Sequence, residues 1–271
     1  METGLKDKHV VITGAASGIG LETTKRFLAE GSRVTATYHS DKKGLGDIVG
    51  NWTKQLQIVK TDVTEEESVQ NLFNRANDIF GRVDVTVANA GIANHKGVAV
   101  QDMELAQWKE ILAVNLTGVF LTAKHFFKNL EKYPKEHGTL IMVGSTAGVF
   151  GEAWYCDYAS TKAGLRGLLL SLKNEIPYIA RKGRVNIVNP GWTVTPMAED
   201  ALDEEESVIR ILQTLPMRKV ALPEDISNAI LYLSSDQLAG HISGQSITVA
   251  GGMEGRVLFS PSEIDSSRVR G

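Results

Sequence analysis

The sequence predicts an α/β fold: one doubly wound domain in which a seven-stranded parallel sheet carries helices on both faces. Three observations predict it. Short β-branched runs alternate with longer stretches at helical spacing along almost the whole chain. A length of 271 residues suits one sheet with its crossovers, so 1–271 is read as a single domain. The 26 glycines exceed what turns alone need, so some backbone must approach something closely. Parallel neighbours need crossover connections, and right-handed crossovers place helices on both faces of the sheet.

The first strand is read over 9–13, the run HVVIT, and a glycine-rich turn leads from it into a helix over 18–30. β-Branched side chains are stiff at χ1 and suit a pleated surface. The second strand covers 33–37 and the third 57–60. Thr64 and Glu67 have the spacing of a capping box, each side chain serving the other's backbone N–H, and open a helix that runs to Phe80. A fourth strand at 83–88 precedes a long helix over 104–131, a fifth strand at 139–144 and a helix over 158–179, with Pro177 near its end. Strands at 185–188 and 246–249, separated by a helix that starts near Pro223, complete the seven.

Two stretches break this rhythm. Residues 40–52 are rich in glycine and charge where a crossover helix belongs, so that helix is expected to be short or irregular. Residues 190–215 form a long excursion, and long excursions in compact domains are usually substrate lids or binding loops. The tail at 255–271 has little periodicity and is expected to fray or to dock on a neighbouring subunit.

Composition sets several classes aside. Lys and Arg total 29 against 32 Asp and Glu, a net charge of −3, without the basic cluster that a nucleic-acid backbone requires. No stretch approaches the roughly 18 apolar residues of a membrane span. Residues 1–8 are charged and run straight into the first strand without the apolar core of a signal peptide. Cys156 is the only cysteine, so an intrachain disulfide is excluded and a cytoplasmic location is expected. The six histidines are scattered and Cys156 has no thiol partner, so no metal site is expected.

Chemistry gathers at the carboxyl ends of the strands, where open α/β sheets bind ligands. Gly14, Gly18 and Gly20 follow the first strand with GxxxGxG spacing and open a helix, whose free amides and positive end receive a pyrophosphate. Asp62 follows the third strand, Asn89, Ala90 and Gly91 the fourth, Ser145 the fifth, and Pro190 and Gly191 the sixth. Because Thr64 is read as the cap, the Asp62 carboxylate is expected to be free to accept from an adenine amine. Tyr158 and Lys162 stand four apart on one helix, hence on one face. A free phenol titrates near 10, and a neighbouring ammonium is expected to lower that value. Ser145 lies where its hydroxyl could bind a substrate oxygen beside the phenol, and Asn115 sits mid-helix, where an amide needs a reason.

Taken together, these motifs resemble the ordinary-length short-chain dehydrogenases/reductases over about 5–252, nearly the whole chain. Residues 13–20 resemble that family's cofactor loop, 88–91 its NNAG motif with Ala88 in place of the first Asn, and 190–195 the segment that receives the nicotinamide carboxamide. The resemblance implies a Rossmann-like fold and a catalytic tetrad of Asn115, Ser145, Tyr158 and Lys162. It implies cofactor contacts from Gly14, Ser17, Gly18, Ile19, Gly20, Tyr38, His39, Asp62, Val63, Asn89, Ala90, Gly91, Pro190, Gly191, Thr193 and Thr195, together with Tyr158 and Lys162. The implied activity is an NAD(P)(H)-dependent interconversion of a secondary alcohol and a carbonyl. Tyr158 serves as general acid/base and Ser145 holds the carbonyl. Lys162 binds the nicotinamide ribose and lowers the Tyr158 pKa, while Asn115 anchors a water that links Lys162 to solvent. A homotetramer is implied, with a dimer as the second choice.

Two other functions use part of this pattern. A regulatory module that only holds a dinucleotide needs the glycine loop but has no use for Ser145, Tyr158 and Lys162 together. A lyase or epimerase with retained cofactor needs a larger substrate region than the C-terminal part provides. Cofactor choice turns on Tyr38, which stands where NAD enzymes of this kind usually carry Asp; His39, Ser40, Lys42 and Lys43 are donors nearby, so NADP(H) is favoured and NAD(H) remains open. Ala93, His95, Thr146, Glu152, Trp154, Tyr155, Trp192 and Met197 are expected to line the substrate pocket.

Overall fold

The computed structural model describes residues 2–94 and 96–264. Seven parallel strands form one sheet: β1 (His9–Ile12), β2 (Arg33–Tyr38), β3 (Leu56–Lys60), β4 (Val85–Ala88), β5 (Thr139–Val143), β6 (Arg184–Pro190) and β7 (Ser246–Val249), in the order β3-β2-β1-β4-β5-β6-β7. The order reverses between β1 and β4, whose register pairs Val10 with Val85 and Ile12 with Val87. This switch point opens a crevice at the carboxyl ends of those two strands.

Helices α1 (Gly18–Ala29), α2 (Gly44–Ile48), α3 (Glu66–Phe80), α4 (Leu105–Leu112), α5 (Gly118–Lys132), α6 (Ala147–Phe150) and α7 (Cys156–Glu175) follow the first five strands. Beyond β6 come α8 (Glu199–Leu202), α9 (Glu205–Gln213), α10 (Pro223–Ser234) and α11 (Asp236–Ala239). One face of the sheet packs Phe73, Phe126, Leu130, Leu165 and Leu169 from α3, α5 and α7. The other packs Phe27, Leu28, Ile226 and Ile230 from α1 and α10. Central strands therefore read as nearly continuous apolar runs, because both of their faces are covered.

The structure modifies several local expectations. The helix read over 104–131 is interrupted by a π turn at Ala113–Thr117 that contains Asn115. The helix read over 158–179 begins at Cys156, and Pro177 falls in a short 3-10 turn at its end, where its missing N–H costs little. The capping box at Thr64 does not form. Glu65 is the cap residue of α3, while Thr64 turns back so that its N–H and hydroxyl both donate to Asp62 Oδ1, at 2.9 and 2.7 Å. The 40–52 stretch holds the five-residue α2 and a 3-10 turn, and the 190–215 excursion folds into α8 and α9. Of the tail, 265–271 lie outside the described residues.

His9 opens β1 fully buried. Its Nδ1 lies 2.8 Å from the Gly81 carbonyl and its Nε2 2.9 Å from Thr35 Oγ1. A carbonyl only accepts, so Nδ1 carries the proton of a neutral ring. Burial lowers the His9 pKa from 6.5 to about 4. The unfolded chain therefore takes up this proton first as pH falls, and stability is lost between about 6.5 and 4. We expect His9→Gln to flatten the pH dependence of urea unfolding in that window, removing a slope that totals roughly 3 kcal/mol in the wild type.

Candidate active site

The crevice at the switch point continues into a cavity of about 550 Å³ along the carboxyl ends of β1, β2, β4, β5 and β6. Its floor is set by a clamp between β1 and β4. Thr13 Oγ1 accepts from the backbone N–H of Asn89 and Ala90 at 3.0 and 3.1 Å, and Asn89 Nδ2 donates to the Thr13 and Gly14 carbonyls, both at 2.9 Å. Gly14 has φ 64°, in the left-handed region that suits glycine. A Cβ on Gly20 would land on the Gly14 carbonyl oxygen and 2.6 Å from Asn89 Nδ2. The turn and the start of α1 thus leave a bare cradle that only glycine permits, with the first amides of the helix beside it.

Past the end of β5, Gly144 lets the chain cross against Asn189, and Ser145 follows with its Oγ accepting from Ala147 N at 3.1 Å. Gly148 brings α6 against the backbone of Lys162 and Ala163, fixing the Ser145 loop on α7. Tyr158 is half-buried and lines the same cavity as Ser145, whose hydroxyl favours the ionised phenol. Lys162 is buried one turn further on, its Nζ 5.6 Å from the Tyr158 ring centroid and donating to the Val143 carbonyl at 2.9 Å. The two side chains share the cavity, as the four-residue spacing requires.

The electrostatics differ from the sequence expectation. Burial pushes the Tyr158 phenol above its usual value, opposed by the Ser145 hydrogen bond and by the charge of Arg256, while Glu152 adds to the rise. Lys162 has a carbonyl but no carboxylate partner, and burial lowers its pKa to about 8. Its ammonium donates to Val143 while its charge stays 5.6 Å from the Tyr158 ring centroid.

Asn115 is fully buried and does not reach the cavity. Its Oδ1 accepts from Ile92 N and its Nδ2 donates to Ile92 O, both at 2.8 Å. Each polar end of the side chain thus makes one hydrogen bond to the loop after β4, which leaves one acceptor site and one donor of the amide over. Asp157 holds the same loop further along, with Oδ2 accepting from Asn94 Nδ2 at 3.1 Å and Gln107 Nε2 at 2.9 Å. An acid in the first turn of a helix reads in sequence as a complement to the helix dipole, which hides this second role.

At the far end the wall is Tyr38, His39, Ser40, Asp41 and Lys43. Asp62 and Val63 lie off the wall. Asp62 Oδ1 accepts twice from Thr64, and Oδ2, 3.5 Å from His39 Nε2, keeps acceptor sites open. The Thr64 hydrogen bonds hold its pKa below the usual carboxylate value. Val63 is buried beside Gly118. Ala90 also lies off the wall and contributes its N–H to the Thr13 clamp. Gly14, Ser17, Gly18, Ile19, Gly20, Asn89, Gly91, Pro190, Gly191, Thr193 and Thr195 all line the cavity.

Of the residues expected in the substrate pocket, Ala93, Thr146, Glu152, Tyr155, Trp192 and Met197 line it; Trp154 is 65% exposed and points elsewhere, and His95 lies outside the described residues. The sequence reading missed Arg256, which comes from the tail to join the wall. No periodicity or motif marks it, because a single residue placed by a turn leaves no pattern. Among the described residues no cluster of His, Cys, Asp or Glu could hold a metal ion, and no helix is long and apolar enough to cross a membrane.

Comparison with known proteins decides the family. A family model described as enoyl-(acyl carrier protein) reductase matches residues 14–254. The chain belongs to the short-chain dehydrogenase/reductase family. It is similar to the 3-oxoacyl-(acyl-carrier-protein) reductase of Escherichia coli, at 33% identity over 91% of this chain and 97% of that protein. It is also similar to the 3beta-hydroxysteroid dehydrogenase 1 of Eggerthella lenta, at 35% identity over 93% and 96%. The cis-4-hydroxycyclohexanecarboxylate dehydrogenase of Sinomonas cyclohexanicum is another 35% identical relative, over 93% and 98%. The crystal structure of gox2181 superimposes with a TM-score of 0.86 at 25% identity, covering 93% of this chain and 97% of that one. As a short-chain dehydrogenase/reductase, the protein is an NAD(P)-dependent oxidoreductase acting on carbonyl and alcohol groups.

The bare cradle fits a dinucleotide pyrophosphate, since amides converge where no side chain intrudes. Gly20→Ala would force Gly14 or Asn89 to move and spoil it. We expect dinucleotide affinity, measured by calorimetric titration, to fall by on the order of tenfold or more, the equivalent of one or two lost hydrogen bonds.

Proposed function

We propose that this reductase/dehydrogenase works with Tyr158 as general acid/base, Ser145 as the group that holds the substrate oxygen, and Lys162 as a cofactor-side cation. The observation that carries the reading is the convergence of the Ser145 hydroxyl, the Tyr158 phenol and the Lys162 ammonium in one cavity with the glycine cradle. A module that only holds a dinucleotide has no use for the first two. The dinucleotide, when bound, supplies hydride to the carbonyl carbon or takes it from the carbinol carbon.

In reduction, Ser145 donates a hydrogen bond to the carbonyl oxygen, and Tyr158 gives up its phenol proton as the carbonyl π electrons move to that oxygen. In oxidation the tyrosinate takes the hydroxyl proton. Without a substrate oxygen to donate to, the Ser145 hydroxyl favours the phenolate and offsets part of the rise caused by burial. Lys162 lies against Gly91, where a Cβ would come 3.4 Å from Nζ, which leaves space for ribose hydroxyls at that end of the cavity. Asn115 is a positioning residue that fixes Ile92 beside them.

Tyr155, Trp192 and Met197 give the substrate side an apolar wall, which supports a secondary alcohol or ketone with an apolar body. The relatives named for hydroxysteroid and hydroxycyclohexanecarboxylate substrates support the same class. NADP(H) is the cofactor we favour. Tyr38 puts no carboxylate at the end of β2, His39, Ser40 and Lys43 offer donors on the wall, and Asp41 Oδ1 already accepts from Lys43 N at 3.0 Å. A cytoplasmic homotetramer fits this reading; exposed Phe120 on α5 and Leu170 on α7 supply apolar surface for association.

The test is absorbance at 340 nm with a panel of carbonyls and alcohols and both cofactors. Tyr158→Phe is expected to keep dinucleotide binding and to lose about 10²–10⁴-fold in kcat, the usual worth of general acid/base catalysis. Retention of a tenth of the wild-type rate would remove Tyr158 from this role. The KM for NADP(H) is expected to lie roughly tenfold below that for NAD(H); a preference for NAD(H) would overturn the cofactor assignment.

A further inference from the structure

The C-terminal segment turns at Gly251 and Gly252, with φ 59° and 81°, and carries Arg256 back to the substrate side of the cavity. The Arg256 side chain is only 12% exposed. Its Nε pairs with Glu152 Oε2 at 2.7 Å and donates to the Gly151 carbonyl at 3.1 Å. Nη2 donates to Thr146 Oγ1 at 3.2 Å, and Nη1 lies 3.0 Å from Met253 Sδ. Thr146, Gly151 and Glu152 all come soon after Ser145 in the chain, so the guanidinium is fixed relative to the group that faces the substrate oxygen. A guanidinium held by its planar fork keeps one orientation, which a flexible ammonium would not.

We propose that Arg256 is a positioning residue of this site: clamped by Glu152 and Thr146, it holds the C-terminal segment on the Ser145 loop and keeps a permanent positive charge within electrostatic reach of the Tyr158 phenol. The inference rests on the role proposed for Tyr158. Other charged and titratable groups lie around the phenol. Lys162 is a second cation, its Nζ 5.6 Å from the Tyr158 ring centroid and hydrogen-bonded to Val143, and Asp157 accepts from Asn94 and Gln107. Tyr155 sits at the start of α7, and Asp200 enters the wall from α8 with contacts of its own. The pair therefore acts with opposite signs: Arg256 lowers the phenol pKa and Glu152 raises it.

Opposite signs give a test that packing alone cannot imitate. Tyr158 is followed by 19F NMR in protein labelled with 3-fluorotyrosine, whose phenol is more acidic, with the Tyr158→Phe variant assigning the signal. The pH profile of kcat/KM is measured alongside. Arg256→Gln is expected to move the titration and the profile to higher pH. Glu152→Gln moves them down by a smaller amount, and the double variant returns them close to wild type. Arg256→Lys, which keeps the charge, stays near wild type in titration.

A purely structural role predicts that both Arg256 variants and the double variant lose rate alike while the titration stays put, and that result overturns the proposal. If the signal shifts as described but Tyr158→Phe retains activity, the charge inference stands and the role given to Tyr158 fails. If Tyr158→Phe is inactive and Arg256→Gln leaves both readouts unmoved, the inference about Arg256 fails and the function does not.

Discussion

The site depends on how the loop after β4 is held. That loop leaves the sheet at the switch point and is fastened to three different elements within six residues. Asn89 ties it to the Thr13 and Gly14 carbonyls in the turn after β1, Asn115 ties Ile92 to the π turn, and Asp157 ties Asn94 to the head of α7. Each fastening uses a buried or half-buried polar side chain, and such groups are costly when unpaired. The loop is thereby confined to one path, with the glycine cradle on one side and the Ser145 and Tyr158 pair on the other.

The π turn gives Asn115 its reach. A continuous α-helix over 104–131 would keep strict i→i−4 hydrogen bonding, and one widened turn shifts the register of α5 relative to α4. Sequence spacing cannot show this, because α4 and α5 each satisfy the helical pattern on their own. The mid-helix amide was the legible trace: Asn is mildly unfavourable there, and the structure supplies its reason in the paired hydrogen bonds to Ile92.

The same contrast separates what the sequence revealed from what it hid. The seven strands and their parallel pairing were legible because buried parallel strands are largely apolar and their crossovers obey one handedness. The glycine cradle and the Tyr158 and Lys162 pair were legible because each is a local pattern. The Thr64 cap misled, since helix boundaries shift by a residue or two and Glu65 takes that place. Arg256 and Asp157 were hidden because their partners lie far along the chain: Thr146 is 110 residues from Arg256, and Asn94 is 63 from Asp157.

Two buried cations near one phenol raise the question of why a single one does not suffice. Among the described residues Lys162 donates to the neutral Val143 carbonyl, and burial lowers its pKa to about 8. It can lose its proton when the surroundings change, which suits a group that meets a ligand. Arg256 stays charged throughout the working range even though burial lowers its pKa, because a guanidinium starts far higher and Glu152 supports it. On the roles proposed above, the permanent charge comes from Arg256 and the adjustable one from Lys162 at the ribose end. That division would keep a positive charge near the phenol while Lys162 responds to what binds.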